Sequence, residues 1–488
     1  MVCYALMIMV NSVSHDAWSQ DKETTIDLKD YHLPEEPMRP FYGSRIQRTM
    51  ALLETSNPEN PNKVKILFYG QSIVANMHSY KIIEALRARY PTARIGYESR
   101  AIGGFQAPFL YRTAIHDLYP YYPDLVVFHV YGGAQTGDLE RILYNIKKYT
   151  TSEVMLFNHQ VAWKSEPEAL KERNRRDDIG SDYLELMAQK YHYEFVDVRR
   201  YWKKFLSLNE NVNINTLMGD TVHSNVHPNK FGNALLRYFI LQHFHYNPYA
   251  AHNSFDDIRD YEARRFVVEK QDEMVIEGDY ELAEGGVILS KGSEISLEFN
   301  GNKAELFTFA AEAEGKMKVT IDGREPSAHK RMYYITRPTK AYKNWMPALK
   351  RVSFGEAFPI LESYKLKLFD FNRQDQIFHF ELYGSTAGFD GKGSNKQDFV
   401  SNSGRISIDK DDFIIFLTES ISKSETPENF EIRFDVKPLF NDILVVTDTT
   451  SSCRIAQGLA NRKHQLKLQV IEGQVPVQFI RVHTPEIQ

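Results

Sequence analysis

Residues 63–74, KVKILFYGQSIV, constrain the fold more than any other stretch. From Val64 to Tyr69 the run is apolar except at Lys65, with β-branched and aromatic members. It is too short for an independent helix, and an apolar run without alternation marks a strand buried on both faces. The run halts at Gly70-Gln71-Ser72. Ile73, Met77, Tyr80, Ile83 and Leu86 then recur at helical spacing before a stop at Pro91. Ser72 therefore sits in the turn between a buried parallel strand and a helix. Open α/β sheets place ligands and chemistry at that end of their strands. The backbone N–H groups of such a turn face the same crevice. A serine there also caps helices, so this stretch by itself leaves cap and nucleophile open.

The alternation continues through residues 63–250. Strands are expected at 93–97, 124–130 (DLVVFHV), 153–158 (EVMLFN) and 194–198, and helices at 139–149, 181–191 and 232–244. Strands alternating with helices imply a three-layer α/β domain around a parallel sheet. Residues 21–62 read as a polar, Pro-rich extension with a helix at 44–53. Past about residue 255 the helical period fades and short alternating runs replace it, at 295–299, 304–309, 317–321, 376–382, 405–408, 413–417, 431–436, 465–471 and 477–483. Turn signals such as Asn300-Gly301 and Asp322-Gly323 separate them. Residues 256–488 are thus expected to form an all-β sandwich, joined through a charged connector that includes Asp256, Asp257, Arg264 and Arg265.

Charge narrows the partners. With 59 Lys plus Arg against 64 Asp plus Glu, nothing points to nucleic acid or an anionic membrane as the main partner. Residues 1–10, MVCYALMIMV, are apolar but too short to span a bilayer. They are similar to the end of a secretory signal without its basic flank, so 1–20 reads as a signal remnant and the protein as secreted or periplasmic. The cysteines are Cys3 and Cys453. Loss of the leader leaves no internal disulfide. No metal or organic cofactor is expected.

A serine hydroxyl needs a base to become a nucleophile, and its reaction needs N–H donors for the oxyanion. The candidate base lies in residues 219–232, GDTVHSNVHPNKFG. Asp220 and His223 are three residues apart, close enough for the carboxylate to orient the imidazole. His227-Pro228-Asn229 precedes the last helix of the α/β region, with Gly232 beyond it. Either histidine can serve as base.

On these residues, about 63–245 resembles the SGNH, or GDSL-type, hydrolase superfamily. The form FYGQSI in place of Gly-Asp-Ser is similar to a bacterial branch linked to polysaccharide use. The resemblance implies Ser72 as nucleophile and, through AIGG at 101–104, Gly104 as an oxyanion donor, with Gly103 the alternative. It places Gly132 in the block that normally reads Gly-x-Asn, whose Asn is missing here. Asn158 is then the candidate replacement amide. Gln71, Gly132 and His159 are expected to line the substrate crevice. Asp220 becomes the orienter, and spacing to Gly232 favours His227 over His223 as base, with a Ser-His dyad as the third arrangement. The activity implied is removal of acyl groups, above all acetyl, from a carbohydrate or polysaccharide, without a cofactor. Two rivals stand beside it: a glycan-binding protein that has lost catalysis, and a lipid esterase, against which no long apolar lid segment is present. In the second region, Asp390 within YGSTAGFDGKGSN reads as a hairpin loop or a cation site, and Trp345 within AYKNWMP as a sugar platform or core.

Overall fold

In the computed structural model the described residues are 28–35, 41–59, 61–164, 166–219, 226–249, 257–269 and 273–487. Among them, β1 (Lys63–Gly70), β2 (Arg94–Ser99), β3 (Leu125–His129), β4 (Glu153–Phe157) and β5 (Glu194–Val196) form a parallel sheet in the order β2-β1-β3-β4-β5. Its helices are α1 (Gln47–Glu54), α2 (Ser72–Asn76), α3 (Ser79–Arg89), α4 (Ala107–Asp117), α5 (Asp138–Tyr149), α6 (Pro167–Lys190), α7 (Val198–Leu208) and α8 (Lys230–Gln242). The period-two alternation of β1 feeds two cores. Val64, Ile66 and Phe68 pack with Met50, Ile83, Trp202 and Leu235 on one face. Leu67 and Tyr69 pack with Leu110, Ile142 and Leu184 on the other. This is the three-layer α/β arrangement that the buried runs imply.

Several elements depart from the sequence reading. The helix expected from Ile73 onward is broken: α2 ends at Asn76, and His78 adopts a left-handed conformation (φ 55°) before α3 begins. The helix expected at 181–191 begins instead at Pro167, whose missing N–H costs nothing in a first turn. Part of the N-terminal extension joins the sheet's core through Tyr42, Ile46 and Met50. The backbone N–H groups of Gly43 and Arg45 donate to the Glu194 carboxylate at 2.8 and 3.1 Å.

The following region is antiparallel and β-rich, with sheets of nine, five and three strands among the described residues. Its longest pairing joins Glu294–Phe307 to Ser452–Val477. Apolar residues of the three sheets share one core. The run 413–417, expected as a strand, instead enters a helix, Ile415–Ser422. FIIFL has no period of its own, and so short an apolar run fits a buried helix as well as a strand. Asp390 is buried, and its carboxylate accepts from Ser403 N and Ser403 Oγ, both at 2.7 Å. It braces a loop.

The two regions meet along a polar and apolar seam. Arg337 forms a two-pronged pair with the buried Asp117, at 2.8 and 2.7 Å. The buried His116 holds Ile335 O through Nδ1 (2.7 Å) and accepts from Val352 N through Nε2 (3.1 Å). Met346 and Ile414 of the β-rich region enter the core formed with α4 and α5. Among the described residues no helix is long and apolar enough to cross a membrane.

Candidate active site

The strand order reverses between β1 and β3, which is where open sheets of this kind leave a crevice. Gly70 closes β1 opposite His129. Its φ of +140° and the 2.1 Å from a built Cβ to His129 O leave room for glycine alone. Gln71 follows in an extended conformation, and Ser72 opens α2. The Gln71 side chain is buried, and its Oε1 accepts from the backbone N–H of Tyr131. It ties the ends of β1 and β3 together, which gives this residue a structural task beside its expected place in the crevice.

His227 reaches Ser72 from the far end of the region. Its Nε2 lies 2.8 Å from Ser72 Oγ. The loop that carries it is held by backbone bonds, Gly219 N to His227 O at 2.7 Å and Asn229 N to Leu217 O at 3.0 Å. Pro228 biases His227 toward an extended backbone. Asn229 then caps α8, its Oδ1 accepting from Phe231 N and Gly232 N. A Cβ on Gly232 would stand 2.1 Å from Leu217 O, so glycine lets α8 close on this loop. Burial lowers the His227 imidazole below its usual 6.5, which keeps the ring neutral and able to accept a proton at neutral pH. Asp220 and His223 lie outside the described residues.

The Ala101–Phe105 turn flanks the serine. Ile102 N donates to Gly70 O at 2.9 Å, which extends the pairing of β2 with β1 past the end of β2. A Cβ built on Gly103 would stand 3.7 Å from the Ser72 Cβ. Gly104, at φ +80°, is exposed. Gly132 sits under the Gln106 side chain, 3.1 Å from a built Cβ, and its carbonyl accepts from Ala107 N at 3.0 Å. Its lack of a side chain lets the start of α4 approach.

Two expected residues are engaged elsewhere. Asn158 donates from Nδ2 to Asp197 Oδ1 at 2.7 Å and accepts from Arg199 N at 2.9 Å. Its amide fastens the start of α7, so the expectation of a replacement oxyanion donor gives way to a capping role. His159 is buried, with Nδ1 3.0 Å from His129 Nε2, and its ring lies 4.3 Å from that of Tyr131. Tyr131 in turn donates to Asp177 at 2.7 Å and receives Arg173 Nε at 2.7 Å. Burial pushes His129 down to about 3 and His159 well below the usual range. These neutral rings are buried and packed on one another and on Tyr131. Tyr131, Asp177 and Arg173 escaped the sequence reading because no short motif joins them.

Among the described residues no group of three or more His, Cys, Asp or Glu side chains is placed to hold a metal ion. No protein-family model matches the chain, and no curated protein matches it in sequence. Solved structures do resemble it. Axe2, an acetylxylan esterase from Geobacillus stearothermophilus, is 16% identical over 39% of this chain and 98% of its own, with a TM-score of 0.32. LAE5, an alpha/beta hydrolase enzyme from the metagenome of Lake Arreo, Spain, is 16% identical over 37% of this chain and 94% of its own, with a TM-score of 0.31.

Proposed function

We propose that this chain is a serine esterase of the SGNH type that removes acyl groups, above all acetyl, from a carbohydrate. The observation that carries the reading is the 2.8 Å contact between Ser72 Oγ and the neutral His227 Nε2 at the sheet's switch point. A hydroxyl that only capped α2 would need no imidazole aimed at it.

In this reading His227 takes the Ser72 proton as Oγ attacks the ester carbonyl. The backbone N–H groups of Ser72 and Gly104 receive the charge that develops on the carbonyl oxygen. Collapse expels the sugar alkoxide, which regains a proton from His227. Water, deprotonated by the same ring, then releases the carboxylate and restores Ser72. Asp220 is assigned to orient His227. The acyl-transfer half rests on the geometry of Ser72 and His227. The carbohydrate half rests on the likeness of FYGQSI to a polysaccharide-linked branch, and an exported location on the signal-like residues 1–10.

The test joins labelling to product release. A fluorophosphonate should label Ser72 in the wild type and not in Ser72→Ala. Acetate should be released from acetylated plant or algal polysaccharides faster than fatty acid from lipid esters. A wild type that takes no label and releases no acid from any ester would turn the reading toward a glycan-binding protein. Preference for lipid esters would keep the nucleophile and replace the substrate.

A further inference from the structure

Trp345 stands 242 residues beyond Gly103, yet its indole Nε1–H donates to the Gly103 carbonyl oxygen at 2.9 Å. A Cβ built on Gly103 would lie 3.0 Å from that nitrogen and 3.7 Å from the Ser72 Cβ. A single glycine therefore separates the indole from the nucleophile.

The bonded atom belongs to a particular peptide. The Gly103 C=O and the Gly104 N–H share one planar unit, in which the two bonds point in opposite directions. Holding the oxygen sets the direction of the N–H. That N–H is the one assigned to the oxyanion in the esterase reading. The peptide lies between two glycines, so no Cβ on either side opposes its rotation. Phe105 N closes the turn on Ile102 O at 3.2 Å, which ties its ends, and an outside anchor on Gly103 O fixes which way the central peptide faces. A donor on the carbonyl also polarises the peptide and strengthens its N–H as a donor in turn.

The anchor is itself braced. Ala341 N donates to Met346 O at 2.9 Å, Met346 N to Asn344 Oδ1 at 3.0 Å, and Asn344 Nδ2 to Thr418 O at 3.2 Å. Met346 Cε would stand 2.7 Å from a Cβ on Gly104, so the residue after the tryptophan packs against the same turn. We infer that Trp345 is a positioning residue for ester hydrolysis, through which the β-rich region orients the Gly104 donor. The inference rests on the esterase reading of Ser72.

Two variants of the full chain test it. Trp345→Phe keeps an aromatic ring and removes the donor. Replacement of Trp345 by 3-benzothienylalanine keeps the bicyclic shape and removes only the N–H. Each is compared with wild type and Ser72→Ala on an aryl acetate, with thermal melting as the control for folding. Loss of a whole oxyanion donor costs about 100- to 1000-fold, and a donor left in place but unanchored should cost less. The expected result is a kcat about 30-fold lower in both variants, a KM within about twofold and an unchanged melting temperature. If both keep kcat within about threefold of wild type, the positioning role is overturned while Ser72 stands. A raised KM at constant kcat overturns it too and makes Trp345 a substrate contact. If the wild type shows no hydrolysis that Ser72→Ala abolishes, the esterase reading falls and this role falls with it.

Discussion

The parallel sheet and the β-rich region both grip the Gly103-Gly104 turn, by opposite means. The sheet holds it through the main chain, with Ile102 N on Gly70 O at 2.9 Å, two residues from Ser72. The β-rich region holds it through side chains delivered across the seam, the Trp345 N–H on Gly103 O and the Met346 side chain against Gly104. The first grip follows from a strand, a turn and a helix that are neighbours in sequence. The second exists only because two regions dock in one orientation. Chemistry concentrated in a single turn survives changes elsewhere in the chain, whereas chemistry shared across a seam makes the docking part of the site.

The largest expected effect tests the local half. His227→Ala should lower turnover on an aryl acetate at least about 1000-fold, the scale of losing a triad member. His223→Ala should cost less, acting through loop order or substrate positioning. The two variants need equal folding and one substrate. An inactive His223→Ala beside an active His227→Ala would move the base to the Asp220–His223 pair and leave the 2.8 Å contact without a catalytic task.

The seam should respond next. Burial raises the Asp117 carboxyl, and Arg337 opposes that rise. The pair thus offsets a cost more than it adds stability. Arg337→Ala leaves the carboxylate without its two-pronged partner, and with Arg337 partly exposed the loss should be about 2 kcal/mol in denaturant unfolding. If turnover falls along with stability, docking feeds the site. If stability falls and turnover holds, Trp345 stays anchored by its own loop.

What could be read in advance follows the same division. The meeting of Ser72 and His227 is legible because each sits at an element boundary with its own local signal, an apolar run halted at Gly70 for one and His-Pro-Asn before an amphipathic helix for the other. The parallel sheet is legible for the same reason. The partners of Asn158 and His159 are not legible because Asp197 and His129 lie far along the chain, and a polar residue at a strand's end looks alike whether it faces substrate or a neighbouring helix. Trp345 stands out in the sequence as a residue, but its bond to Gly103 has no trace in any window of the sequence. The segment 413–417 failed for want of a period, since burial on all sides erases the pattern that separates strand from helix.

Asn158→Ala gives a smaller effect and sharpens the division. The side chain holds Arg199 N and Asp197 at the start of α7. Its loss should cost about 1 kcal/mol of stability, the scale of a helix cap, with kcat within about threefold of wild type. A kcat lower by about 100-fold at unchanged stability would return Asn158 to the oxyanion.

The subtlest expected effect is the position of the acid limb in the pH profile. Only neutral His227 can accept the Ser72 proton, so kcat/KM should rise with pH as the ring deprotonates and then level off. Burial lowers the ring below 6.5, which places the midpoint of that rise below 6.5 in the free enzyme. A carboxylate at Nδ1 would push the other way by stabilising the imidazolium. Asp220→Asn should therefore move the limb further toward acid, and a limb that stays in place would remove Asp220 as orienter. The fold itself also weakens in acid. His116 is lowered to about 4, and His129 and His483 to about 3, all by burial. Each favours the folded state fully above about 6.5, the unfolded value. That contribution is lost as pH falls toward about 4 or 3, because the unfolded chain takes up protons first. Near-ultraviolet circular dichroism on the same samples separates the two processes. A rise in kcat/KM centred above 6.5 with the fold intact would mean that the charge facing His227 outweighs its burial, and the carboxylate that supplies it would then rank with Trp345 among the residues that position the reaction.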